Sequence, residues 1–143
     1  MNFLVQYNEF CLNYLKSIKK IARSLSLTQS QILCINSIPF DGISQINLSK
    51  KLALDLSTMS RNLKKLQDRK IINKEKSNYD SRSSIVTLTQ KGKKVYKEIF
   101  NMMHGEMNDI LLKINIDDID YLTEVINQIN WEIELNNNYE QNK

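Results

Sequence analysis

The sequence predicts a mainly α-helical chain interrupted by one short β-hairpin, and three observations predict it. Only three Gly and one Pro occur in 143 residues, too few for a loop-rich sandwich or a collagen-like repeat. Over most of the chain, apolar residues recur at spacings of three and four. Between residues 71 and 88 that spacing gives way to two short runs rich in Ile and Val, separated by a polar turn. At 16.8 kDa with 41% hydrophobic residues, the length suits one domain or one elongated protomer.

The first helix is expected over 2–24, because Leu4, Tyr7, Cys11, Tyr14, Ile18, Ile21 and Leu25 form one stripe at alternating spacings of three and four. Thr28 followed by Gln31 reads as a capping box that starts a helix over 29–38, burying Ile32, Leu33 and Ile35. Pro39-Phe40-Asp41-Gly42 is a turn. Ser44 then caps a helix over 45–53 with Ile46, Leu48 and Leu52 inward, and Asp55 caps another over 56–69 with Met59, Leu63 and Leu66 inward. Two short helices joined this tightly make a helix-turn-helix over about 45–69. Residues 71–76 and 84–88 form the strands of a hairpin, and a lone hairpin is marginal unless it leans on helices. Helix-turn-helix plus hairpin is a winged helix, with its wing over 71–88.

Thr89 caps a helix over 90–113 carrying Val95, Ile99, Met102, Met103, Met107, Ile110, Leu111 and Ile114. At about 35 Å it is longer than a winged core needs. Asp117 is expected to cap a helix over 118–136 with Ile119, Leu122, Val125, Ile126, Ile129 and Ile133 inward, leaving a polar, frayed tail. The expected organisation is a winged core over 28–95 flanked by terminal helices at 1–27 and 96–143. Their apolar stripes exceed what that core can cover, so a two-fold homodimer through these helices is expected.

The net charge is only +4, but it is unevenly placed. Residues 61–95 hold eleven positive and three negative charges, whereas residues 96–143 hold three positive and ten negative. One part of the chain suits phosphate and another repels it, unless both are ordinary solvated helix faces. No apolar run approaches the about 18 residues of a membrane span. The N-terminus has neither a basic region nor a small-residue cleavage site, so no signal peptide is expected and the cytoplasm is the expected location. His104 is the only histidine, which excludes a His-based metal cluster and a Ser-His-Asp triad. No phosphate-binding glycine loop is present, so neither an enzyme nor a cofactor is expected.

On the helix over 56–69, the inward set leaves Ser57, Thr58, Arg61, Lys64, Lys65 and Asp68 facing outward with Ser60 beside them. Short hydroxyls let a helix N-terminus approach bases and turn its free N–H groups to phosphate. Arg61 can reach a guanine edge or a phosphate, while Lys64 and Lys65 suit the backbone. At the hairpin tip, Arg82 can enter a minor groove, with Asp80 holding its guanidinium in a fork-like pair. Double-stranded DNA is the expected partner.

These residues carry a resemblance. Leu27-Thr-Gln-Ser-Gln, the run Leu52-Ala-Leu-Asp-Leu-Ser-Thr-Met-Ser-Arg-Asn-Leu-Lys-Lys-Leu, and Asp80-Ser-Arg followed by an alternating strand and Leu88-Thr-Gln-Lys-Gly resemble the MarR family of bacterial winged-helix regulators over about 27–95. The resemblance implies a homodimer on a pseudo-palindromic operator, with recognition helices in successive major grooves and wing arginines in flanking minor grooves. It implies groove and phosphate contacts at Ser57, Thr58, Ser60, Arg61 and Lys64, and wing roles for Asp80 and Arg82. Lys70 departs from the glycine usual in that family at the end of the recognition helix, at a cost of about 1 kcal/mol if the backbone there is left-handed.

Some members of that family sense oxidants through a first-helix cysteine, which singles out Cys11; a small buried hydrophobe on the apolar stripe is the plainer reading. Cys34 is a weaker candidate for such a response. Met102, Met103 and Met107 could line an adaptable ligand pocket or be plain core, and Gly105 beside them marks a bend or a close approach. The function expected is a sequence-specific transcriptional regulator, a repressor relieved by a small inducer or by oxidation. The alternatives are a non-specific architectural DNA binder and a winged-helix protein-interaction module.

Overall fold

The computed structural model describes residues 2–78, 83–114 and 118–141. Along the chain run α1 (Phe3–Ser24), α2 (Gln29–Ser37), β1 (Ile43–Ser44), α3 (Gln45–Lys51), α4 (Leu56–Asp68), β2 (Ile72–Lys76), β3 (Ser84–Leu88), α5 (Gln90–Ile114) and α6 (Ile119–Gln141). The fold is mainly α with a small β wing, and the helix-turn-helix lies where the hydrophobic spacing put it.

The helix starts follow from side chains that satisfy otherwise unpaired N–H groups. The Thr28 hydroxyl accepts from Gln31 N–H while the Gln31 side chain accepts from Thr28 N–H, completing the capping box. Ser44 accepts from Asn47 N–H, and Asp55 accepts from Thr58 N–H. The last helix begins with Asp118, which accepts from Tyr121 N–H at 2.8 Å. The expected cap Asp117 lies outside the described residues, and α6 continues to Gln141 rather than fraying after 136.

Three helices end alike. After α1, α3 and α4 the backbone turns left-handed at Ser26 (φ 52°), Ala53 (φ 50°) and Lys70 (φ 58°). At each, the next N–H reaches back to close a six-residue ring: Leu27 to the Ala22 carbonyl, Leu54 to Ser49, and Ile71 to Leu66. This is the Schellman arrangement, in which the residue after the left-handed one is apolar and packs inward. Leu27 and Leu54 pack against the core, and Ile71 is buried within it. Ordinary residues thus tolerate a conformation that favours glycine.

The winged core is centred on Ile18, Ile21, Ile32, Cys34, Ile35, Leu48, Met59, Leu63, Leu66, Ile71, Ile72, Val86 and Ile99, all at most 2% exposed. One inward assignment of the winged core changes: Ile46 is exposed and Ser49 is buried beside Leu48, while Leu33 is half-buried and packs against the core that contains Cys34. α3 has only seven residues, too few for spacing to define a face.

The wing contains a third strand. β1 pairs antiparallel with β3, Ile43 opposite Val86, and β3 pairs antiparallel with β2 from Ile72 opposite Leu88 to Lys76 opposite Ser84. Gly42 makes this possible: its φ is +94°, and a Cβ there would lie 2.8 Å from the Thr87 side chain. The sheet is fastened to the helices by Leu88-Thr89-Gln90-Lys91-Gly92. Thr89 N–H donates to the Ile71 carbonyl, its hydroxyl donates to the Lys70 carbonyl at 2.7 Å, and the same oxygen accepts from Gly92 N–H. Gly92 presses so closely on strand-leading Ile71 that a Cβ would sit 2.0 Å from the Ile71 carbonyl oxygen.

The chain divides into two compact units, Met1–His104 and Gly105–Lys143. The winged core belongs to the first. In it α1 is buried only towards its C-terminal end, and Phe3, Leu4, Tyr7, Phe10 and Tyr14 are exposed. In the second unit Ile119, Leu122, Ile126, Ile129 and Ile133, expected to point inward, are all more than a third exposed. Gly105 neither breaks α5 nor meets a close neighbour, since a Cβ there would lie in open space.

Candidate nucleic-acid interface

The surface of α4 follows from its own periodicity. Met59, Leu63 and Leu66 are fully buried, which turns Ser57, Ser60, Arg61, Lys64 and Lys65 to solvent and leaves Thr58 half-buried. Five of the six expected contact residues on this helix are therefore exposed. Asn62 donates to the Ser30 hydroxyl at 2.7 Å and Gln45 donates to the Ser60 hydroxyl at 2.7 Å, so α2 and α3 both hold α4 in place.

The leading turn of α4 is organised by Asp55. Its Oδ1 accepts from Thr58 N–H (2.8 Å) and from the Ser57 hydroxyl (2.7 Å), and its Oδ2 accepts from the Thr58 hydroxyl (2.7 Å). The Thr58 side chain, then Ser57, then the Thr58 N–H hold the Asp55 carboxyl well below the usual carboxylate range. Arg61 Nη2 donates back to the Thr58 hydroxyl oxygen at 3.2 Å. Thr58 N–H is thus already engaged by a carboxylate and is not among the α4 N–H groups left free for phosphate.

Besides Arg61, which bonds within α4, two members of the basic block bond to backbone carbonyls of other segments. Arg69 donates to the carbonyls of Ser26 (2.6 Å) and Leu25 (3.2 Å), closing the C-terminal end of α1, and Lys91 donates to the Arg69 carbonyl at 2.8 Å. Both cations sit where helix ends present unpaired carbonyls. Sequence spacing gives no hint of them, because the partners lie 22 to 44 residues away. A second basic surface is legible in hindsight: Lys16, Lys19, Lys20 and Arg23, at i, i+3, i+4 and i+7 on α1, line an open recess with Ser24.

Asp80 and Arg82 lie outside the described residues. Cys11 is half-buried on α1, and its side-chain hydrogen bond with Tyr7 raises the tyrosine pKa. Cys34 is in the core, and burial pushes its thiol up to about 11, where thiolate chemistry is suppressed. Met103 packs against the core and accepts from the Asn36 amide, whereas Met102 and Met107 are exposed. Among the described residues no group of His, Cys, Asp and Glu could hold a metal ion, and no helix is long and apolar enough to cross a membrane.

Residues 16–99 match the family model for transcriptional regulator SarA/Rot. The whole chain is similar to the HTH-type transcriptional regulator TcaR of Staphylococcus aureus (strain Newman), at 31% identity over 140 residues, covering 96% of this chain and 90% of the relative. Among solved structures, a Staphylococcus aureus MarR in complex with salicylate and kanamycin superimposes with a TM-score of 0.77 at 26% identity, covering 93% of this chain and 89% of that one. Wild-type apo MarR from E. coli gives 0.76 at 19% identity, covering 90% and 96%, a likeness of fold.

Proposed function

Because the chain belongs to the SarA/Rot family of transcriptional regulators and has the MarR winged-helix fold, we propose that it acts as a homodimeric repressor. It reads a pseudo-palindromic duplex with one α4 from each protomer. Ser57 and Thr58 face base edges, Ser60 and Arg61 face base edges and nearby phosphates, Lys64 and Lys65 hold the backbone, and Arg82, paired with Asp80, enters the flanking minor groove. The terminal helices, 1–27 and 96–143, join the protomers.

The observation that carries this reading is the division of α4: three apolar residues with no exposure on one side, and exposed hydroxyl and cationic side chains on the other. A small ligand relieves binding by favouring a dimer whose α4 helices have the wrong separation. The salicylate in the similar Staphylococcus aureus structure supports a small aromatic acid as the ligand class. Oxidation would act through Cys11, and an unchanged peroxide response in Cys11→Ser removes that route.

The test is duplex binding across a salt series. Arg61→Ala is expected to weaken the preferred sequence by about ten- to a hundredfold and to relax base preference at one position per half-site. Lys64→Ala is expected to weaken every sequence alike and to reduce the salt slope by about one. Unchanged binding in both variants would show that α4 is not the reading helix.

A further inference from the structure

An ionised carboxylate can only accept hydrogen bonds. The two hydroxyls that Asp55 engages must therefore be the donors, Ser57 to Oδ1 and Thr58 to Oδ2, each at 2.7 Å. A hydroxyl has one proton, so both side chains turn only lone pairs outward. Ser57 keeps two of them, and Thr58 keeps one beside the pair that accepts from Arg61. Farther along the helix the polarity reverses. Ser60 accepts from Gln45, which frees its own proton, and Arg61 carries donors alone. The carboxylate also repels phosphate from this end of α4, so the turn is shaped for base edges.

We propose that Asp55 sets the base preference of α4: by taking the hydroxyl protons of Ser57 and Thr58 it leaves these two hydroxyls as acceptors only, selecting amino-bearing major-groove edges. Those edges are the N6 amino group of adenine and the N4 amino group of cytosine, whereas guanine and thymine offer keto oxygens in the corresponding positions. Asp55 acts through its neighbours and is a positioning residue. The inference rests on the reading that α4 enters the major groove.

Asp55→Asn separates polarity from folding. Asparagine caps helices as well as aspartate does, and its Oδ1 keeps the bonds from Thr58 N–H and Ser57. Its Nδ2 replaces an acceptor by a donor and turns the Thr58 proton outward. The full-length chain and this variant are each used to select sequences from random duplexes. The wild-type duplex is then rebuilt with purine for single adenines, or 2-pyrimidinone for single cytosines, each lacking only the exocyclic amino group.

The wild type is expected to lose about three- to tenfold at one position per half-site, the size of one net hydrogen bond. Asp55→Asn is expected to lose less than about twofold there and to select a keto-bearing base instead. Identical analogue profiles for the two proteins, or a wild type that shows no loss with any amino-lacking analogue, would overturn the proposal. If Arg61→Ala changes the profile and Asp55→Asn does not, the polarity assignment falls while α4 remains the reader. If neither changes it, both fall.

Discussion

In α4 the apolar positions Met59, Leu63 and Leu66 are fully buried, whereas in α6 the positions Leu122, Ile126, Ile129 and Ile133, at similar spacing, are each more than a third exposed. The two helices carry the same kind of signal in the sequence. The difference lies in what the chain provides to cover them: α1, α2, the sheet and Ile99 of α5 contribute to the core that receives α4. Hydrophobic periodicity says that a face needs burial, and leaves open whether the same molecule or a partner supplies it. The apolar face of α4 is covered within its own unit, whereas that of α6 stays more than a third exposed.

The largest effect that would test this contrast comes from Gly92→Ala. Its Cβ would collide with the Ile71 carbonyl, so urea denaturation should show at least about 3 kcal/mol of lost stability, the upper end for overpacking. Leu63→Ala should cost about 2–4 kcal/mol in the same measurement, because α4's buried face is emptied. Ile129→Asp is expected to convert a dimer into a monomer by light scattering while the winged core keeps its fold. A dimer that survives the Ile129→Asp substitution would erase the contrast.

The sequence made the helices of the winged core legible because caps and apolar spacing act locally, as at Thr28, Ser44 and Asp55. It left β1 invisible, since two residues cannot display a period and their partner strand lies forty residues on. It misplaced Ile46 for a related reason: a helix of two turns has no well-defined face. Of the candidate interface, the outward side of α4 could be read from its inward one. The helix-closing roles of Arg69 and Lys91 could not, because each depends on where another segment's atoms come to rest; the bonds of Asp55 with Ser57 and Thr58 span two and three residues and are as local as its cap. Lys70 stands between these cases. A non-glycine there is visible in sequence, but its left-handed backbone is a structural fact.

That fact gives a smaller effect. Lys70→Gly relieves the left-handed penalty and should raise stability by about 1 kcal/mol, read as a shift of the denaturation midpoint. A lower midpoint would mean that lysine's charge at the α4 C-terminus outweighs the strain. The smallest effect is a pH dependence. The Asp55 pKa is depressed by the Thr58 and Ser57 bonds, so its stabilisation is fully present above the ordinary carboxylate value of about 4 and is lost as pH falls towards the folded value. Wild type and Asp55→Asn should therefore converge on acidification in a circular-dichroism titration. A gap that widens as pH falls would reverse the sign of the coupling.

Selection of bound fragments from random duplexes tests the pairing of two reading helices most directly. Inverted half-sites whose centres lie one helical turn apart, about 10–10.5 base pairs, or a multiple of it, are expected to be enriched. A pool with no enriched sequence, or with a single half-site lacking an inverted mate, would contradict it.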